Sequence, residues 1–221
     1  MNPSERCFEL LKAGDFEALR SFLDQTPGAA ETRDSTGVSL LMHLVYRGQR
    51  DLAAAIAARR QSLDIFEAAA LGREDRLQPH LADAGTVNSY SADGFTALHF
   101  ASYFGQAAIA HILLEKGAKP DAVANNPTRV MPLHSAASAR NLEAARLLLD
   151  HGALVNARQQ AGWVPIHAAA QNGDRAMVDL LLQRGADPGL TNDDGKTAAM
   201  VAADKGHPEI AALLTKQKTG S

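Results

Sequence analysis

Apolar positions along this chain recur in a fixed order. A short apolar stretch is followed by a glycine, a longer apolar stretch and a second glycine. The clearest copies are DGFTALHFASYFG at 93–105, MPLHSAASAR at 131–140, GWVPIHAAAQNG at 162–173 and DGKTAAMVAADKG at 194–206. The longer stretches that follow them are IAHILLEKGA, AARLLLDHGA, MVDLLLQRGA and IAALL. The place of the histidine marks each copy, at His99, His134, His167 and Met200, with spacings of 35, 33 and 33 residues. The triplets LLE, LLD and LLQ put apolar residues on one stripe of a helix. Weaker copies run toward the N-terminus. Phe66 marks FEAAALG, 33 residues before His99; Met42 marks SLLMHLVYRG; Phe8 marks FELLKAG, 34 residues before Met42. The pattern predicts seven antiparallel helix pairs.

Local signals support the helix ends. Thr96 and Thr197 stand where an N-cap is needed, and a hydroxyl there can accept a backbone N–H of the first turn. Met131 and Val164 hold that place in two other units, so those caps are expected to be weaker or made otherwise. Gly105, Gly173 and Gly206 fall between paired helices, where a left-handed residue closes the turn. Arg140 stands there in the fifth unit and is expected to strain its turn. Alanines such as Ala101, Ala136, Ala169 and Ala202 allow close helix approach.

The 33-residue period, the DGxTxLHxA start and the LLxxGAxxN end resemble the ankyrin repeat family. The resemblance covers about residues 4–215, strong from 90 to 206 and degenerate before. It implies an all-α solenoid in which each unit is a short helix, a tight turn, a longer helix and a projecting hairpin loop. It also resembles the stand-alone ankyrin-repeat arrays common in bacteria. No unit buries its apolar face alone, so one continuous core over a single domain, 1–215, is expected. The units are read at about 4–33, 34–61, 62–90, 91–124, 125–158, 159–191 and 192–215, with a mobile tail over 216–221.

Two places break the rule. Met42 and Phe66 are only 24 residues apart, so one hairpin is expected to be missing near residues 59–64. Asp64 with Glu67 three residues on supplies a capping-box start for the next helix. The gap is either erosion near one end or a bend that reshapes the groove. The fifth unit carries two extra residues, within VANNPTRV at 123–130, which lengthen a hairpin tip. Pro127 and the Asn125–Asn126 pair suit a turn with positive φ. The longer tip either adds reach or is a neutral insertion.

Composition changes the picture mainly by exclusion. Hydrophobic residues are 46% and charged residues 21%, which fits a packed chain rather than disorder. The net charge is -3, about -4 up to residue 110 and +1 beyond it. That balance argues against nucleic acid, which calls for clustered Lys and Arg. The single cysteine, Cys7, cannot form an internal disulfide and fits a reducing compartment. The opening stretch lacks a signal-peptide core, and runs such as 52–58 are too short to span a bilayer. A cytoplasmic monomer that binds no membrane is expected.

No catalytic or metal constellation stands out, and no cofactor is expected. The resemblance implies that His99, His134 and His167 are structural, bonding backbone across neighbouring loops. One repeat apart, about 10 Å, they cannot share a zinc ion with bonds of ~2.1 Å. Cys7 lacks a second cysteine or an activating histidine. Asp193 and Asp194 read as a solvated turn. His43, Asp64 and Glu67 near the gap would revive an enzymatic reading if they converged in a pocket.

In ankyrin-like stacks the ligand face is the concave one, built from hairpin tips and first helices. Its candidate residues here are Tyr46, Arg47, Tyr90, Phe95, Phe100, Tyr103, Phe104, Arg129, Trp163, Gln171 and Asn172. Aromatics are only 5% of the chain, so their grouping in one unit is a signal of a contact surface. The alternative is that some of these rings pack inward between units, Phe104 first among them. Serine at Phe100, Tyr103 and Trp163 is expected to abolish capture with little change in melting temperature. Four units could offer a partner about 800 Å². The expected function is a non-catalytic scaffold or adaptor for a protein or peptide. A regulatory or immunity-type inhibitor of one enzyme is the alternative. The irregular early units disfavour a designed consensus binder.

Overall fold

The computed structural model describes residues 2–219. Fifteen α-helices and three 3-10 turns run through them, joined by loops with two isolated bridges. Seven helix pairs stack in chain order. They are α1 (Pro3–Ala13) with α2 (Phe16–Gln25), α3 (Leu40–Tyr46) with α4 (Arg50–Arg59), and α5 (Ile65–Leu71) with α6 (Glu74–Leu77). A short helix α7 (Ala84–Val87) precedes α8 (Ala97–Tyr103) and α9 (Ala107–Glu115). Then come α10 (Pro132–Ser138) with α11 (Leu142–Asp150), α12 (Pro165–Gln171) with α13 (Arg175–Gln183), and α14 (Ala198–Asp204) with α15 (Pro208–Thr219). One apolar core runs unbroken from Cys7 to Leu214. It is built on leucines of the second helices and alanines of the first, so neighbouring first helices lie close.

Each first helix opens with the same four-residue register, N-cap to third helical residue. The N-caps are Asn2, Ser39, Asp64, Thr96, Met131, Val164 and Thr197. The third helical residues are therefore Glu5, Met42, Glu67, His99, His134, His167 and Met200. The markers Phe8 and Phe66 were misplaced: the equivalent positions are Glu5 and Glu67, which close capping boxes with Asn2 and Asp64. In the three histidine units the ring does that work. Nδ1 accepts from the backbone N–H of Thr96 (3.2 Å), Met131 (3.3 Å) and Val164 (3.2 Å). This is how Met131 and Val164 start helices without a polar side chain. The Thr96 hydroxyl turns to the His99 ring at 2.8 Å instead of to the first turn. Nε2 donates forward to a carbonyl in the loop leading into, or hairpin of, the next unit: Val130 (3.1 Å), Ala157 (3.0 Å) and Lys196 (3.1 Å). One proton thus joins two units, and the bonding pattern assigns the neutral Nε2–H tautomer.

Successive hairpins of the last four units are bonded backbone to backbone. Asn125 N–H donates to Gly94 C=O (2.8 Å), Gln160 to Thr128 (3.1 Å) and Asp193 to Ala161 (3.0 Å). A Cβ on Gly94 would lie 2.5 Å from the Asn125 carbonyl, and its φ is +87°, so glycine is required there. In the longer hairpin the positive φ falls on Arg129 (50°), not on the Asn pair. Asn126 instead pins that hairpin, donating to the Asp93 carbonyl at 2.8 Å. Arg140 takes φ 59° between α10 and α11, and its guanidinium reaches the Asn172 carbonyl.

The third unit has no hairpin: α4 passes into α5 through residues 60–64 alone. A charge network fills the place. Buried Arg60 donates to buried Glu67 (2.6 Å) and faces Glu31 (2.8 Å), while Arg33 pairs with Asp64 (2.9 Å). Pro79 ends α6 early in a 3-10 turn, Gln78–His80. At the C-terminus α15 continues to Thr219, so the mobile tail expected from 216 is helical that far. Residues 220–221 of that expectation lie outside the described residues.

Candidate functional site

The first-helix face carries a row of rings. Phe8 meets His43 at 5.4 Å, His43 meets Tyr46 at 6.5 Å, and Tyr46 meets Phe104 at 6.3 Å between centroids. Phe104 continues to Phe100 (6.4 Å) and Tyr103 (5.2 Å), and Phe100 to Phe95 (5.7 Å). Tyr46 belongs to the second unit and Phe104 to the fourth, so this contact skips a unit. Two features permit it. The third unit lacks a hairpin, and its first helix presents Ala68, Ala69 and Ala70, all buried. The Tyr46 hydroxyl hydrogen-bonds the Asp93 carboxylate, closing the gap from the other side. Burial, reinforced by Asp93, pushes the Tyr46 phenol up from its ordinary value. The gap therefore brings units two and four together.

The rings enclose a cleft of about 320 Å³ lined by Tyr46, Phe95, His99, Phe100, Tyr103, Phe104 and Ser135. Its floor and rim differ. Phe100 is 4% exposed and belongs to the core, whereas Tyr103 is 52% and Tyr46 42% exposed. The ring that packs inward is thus Phe100, with Phe104 half-buried beside it. This corrects the assignment of Phe100 as a free contact residue, because its edge also packs on Phe66 at 6.1 Å. Serine there would open the core and lower the melting temperature. Ser135, which lines the cleft from α10, was missed by sequence reasoning; the repeat register of α10 against α8 points to it.

The other sequence candidates are not gathered in this cleft. Tyr90 lines a small recess of about 90 Å³ over the gap, with Tyr46, Phe66 and Phe100. Arg47 lines a separate cleft of about 550 Å³ with Phe8, Lys12, Arg33, Asp34 and His43. Arg129 is exposed at its hairpin tip. Half-buried Trp163 lies 5.5 Å from the His167 ring, as Phe95 lies 5.7 Å from His99. Gln171 is exposed. Asn172 is committed within the stack: its amide donates to the carbonyls of Ala137 (3.2 Å) and Ser138 (2.9 Å). That corrects its assignment as a contact residue, since using it would cost two inter-unit bonds.

Chemistry remains sparse along this face. His43 pairs with Asp34 at 2.7 Å, while Asp64 and Glu67 are held by Arg33 and Arg60, so the three residues near the gap do not converge. Burial alone would raise the Asp34 carboxyl, but hydrogen bonds from Thr36 and His43 outweigh it and hold it at about 2. Burial pushes the Cys7 thiol up, which removes its nucleophilic form at neutral pH. Among the described residues no group of His, Cys, Asp and Glu could hold a metal ion, and no helix is long and apolar enough to cross a membrane.

Comparison with known proteins places this geometry. A family model for ankyrin repeats (three copies) matches residues 55–159 and 166–220. The putative ankyrin repeat protein YahD of Escherichia coli K12 is 29% identical over 188 residues, covering 68% of this chain and 94% of that protein. The mouse B-cell lymphoma 3 protein homolog is 38% identical over 130 residues, 57% of this chain and 29% of that protein. The human protein phosphatase 1 regulatory subunit 27 is 40% identical over 70 residues, 32% of this chain and 46% of that protein. The chain thus spans less than half the length of the mouse and human relatives. A stack of seven helix pairs, histidine bridges between units and a family match over most of the sequence agree: the chain belongs to the ankyrin repeat family.

Proposed function

We propose that this chain is a non-catalytic interaction module that holds a partner protein or extended peptide on its first-helix and hairpin face, acting as a cytoplasmic monomer. The family supports a role in protein–protein interaction. The observation that carries the finer reading is the aromatic cleft. Exposed Tyr46 and Tyr103 rim a buried apolar floor, the pattern of an interface anchor. A relative named as a phosphatase regulatory subunit keeps the inhibitor or regulator reading beside the scaffold one. Both use the same face and differ only in the partner.

The test is site-directed photo-crosslinking in native lysate. A benzophenone amino acid is placed at Tyr103, or at exposed Arg146 on the outer face of α11. A discrete protein adduct from Tyr103, absent from Arg146, supports the proposal. Adducts from Arg146 alone, or from neither, overturn it.

A further inference from the structure

We infer that the stack carries a hinge at residues 60–64, held shut by a latch between the second and fourth units. Units one and two move as one body against units three to seven, and Tyr46 is the catch.

The seam between the second and third units is built differently from the seams beyond it. From α5 onward the first helices approach closely, α5 on α8, α8 on α10, α10 on α12 and α12 on α14, through their alanines. The sequence of α3, LLMHLVY, has no alanine, and α3 packs less closely on α5. On the other side of α3 a brace is present. The 3-10 turn Pro27–Glu31 packs on α1, α2, α3 and α4 and so binds the first two units into one body. Residues 60–64 have no hairpin to do the same. Their polar links run mainly to the third unit: Arg60 donates to Glu67 (2.6 Å), Arg76 to the Gln61 carbonyl (2.7 Å) and His80 to the Leu63 carbonyl (2.8 Å). Arg60 also reaches back to Glu31 (2.8 Å), and Arg33 reaches across to Asp64 (2.9 Å). A few residues at an element boundary, between a loosely and a tightly packed helix, are where a stack bends.

The fourth unit bridges this seam. The Tyr46 hydroxyl donates to the Asp93 carboxylate, whose other oxygen takes the Ser91 hydroxyl at 2.6 Å. The Tyr46 ring lies 6.4 Å from Phe100 and 6.3 Å from Phe104. The hairpins meet as well: a Cβ on Gly37 would sit 3.2 Å from that of Ala92. A rotation about 60–64 breaks these contacts together. It uncovers little core, because Tyr46 is already exposed and Phe104 half-buried. Tyr46 is also a wall of the aromatic cleft, so opening the hinge withdraws that wall and widens the cleft toward the N-terminal units.

The experiment is double electron–electron resonance on the full chain carrying Cys7→Ala, with nitroxides on exposed residues. One pair spans the hinge, Ala54→Cys with Arg146→Cys; the other lies beyond it, Lys116→Cys with Ala212→Cys. Tyr46→Ala should widen the first distance distribution at least about twofold and leave the second unchanged. Tyr103→Ala, which removes an exposed ring that meets Phe104 of its own unit, should change neither. An unchanged first pair in Tyr46→Ala overturns the inference. So does equal broadening of both pairs, which would mark a general loosening, or the same broadening of the first pair in Tyr103→Ala. The second pair also reports that the variant is folded; where Tyr46→Ala does not fold, Tyr46→Phe, which keeps the ring and loses the bond to Asp93, is read by the same criteria.

Discussion

Acidification should loosen this stack well before its carboxylates titrate. His99 and His134 are almost fully buried, and burial holds both rings at about 4, against 6.5 for the free side chain; His167 is shifted the same way. The geometry gives the cause. Each Nδ1 accepts a backbone N–H and each Nε2 donates to a carbonyl, so a second proton would set an N–H against an N–H. Between pH 6.5 and 4 the unfolded chain binds more protons than the folded one. Stability is therefore fully present above 6.5 and falls as the pH drops toward 4. At pH 5 each of His99 and His134 forfeits about 2 kcal/mol relative to pH 7.5, about 4 kcal/mol together, with His167 adding to it. Asp34, held at about 2, keeps its contribution throughout this window and loses it only as the pH falls from about 4 toward 2. The assay is urea unfolding at pH 7.5, 6.5, 5.5 and 5.0, followed by circular dichroism and by Trp163 fluorescence. The free energy should fall by several kcal/mol over that range, most steeply below 6.5. In His134→Gln, less stable at pH 7.5, the slope should be visibly shallower, by up to about half, since His99 and His134 are shifted alike and His167 adds its share. A midpoint that stays flat from 7.5 to 5.0 would refute the neutral-tautomer bridge.

Three further outcomes are expected. Phe100→Ala should cost about 3–5 kcal/mol in urea unfolding, while Tyr103→Ser should stay within about 0.5 kcal/mol, which separates the floor of the cleft from its rim. Glu67→Ala leaves Arg60 buried without its closest carboxylate and should cost about 3–5 kcal/mol; the double variant with Arg60→Met should recover much of it, and a non-additive cycle is the check. Arg140→Gly relieves the left-handed turn at φ 59° and should raise the melting temperature by a gain of about 1 kcal/mol, less the lost bond to the Asn172 carbonyl.

The periodic part of the fold was legible because its signals are local. The histidine place, the glycines between helices and the leucine stripes repeat at fixed offsets, and each answers to a cap, a turn or a core face. The 24-residue spacing also revealed the missing hairpin. What the pattern concealed depends on contacts between units. Phe8 and Phe66 looked like the markers because they are apolar; the residues in register are acids, and an acid closes a capping box as well as an imidazole does. Phe100 and Phe104 lie on one helix face by spacing, so only the depth of the neighbouring alanine helix decides which ring is covered. Nothing in the local sequence shows that Arg33, Arg60, Asp64 and Glu67 replace a hairpin. Nor does it show that Asn172 spends its amide on the preceding unit.

The contact between Tyr46 and the fourth unit alters how disorder would spread. In an array coupled only between neighbours, units act in series, and melting any one of them disconnects the two ends. Here the hairpinless unit has a second helix of only four residues. The bond from Tyr46 to Asp93 and the ring contacts to Phe100 and Phe104 run alongside it. Units two and four are thus wired in parallel around this shortened unit. A fluctuation that frays α6 leaves the aromatic row connected, and the third unit is held between its neighbours as a keystone is held in an arch.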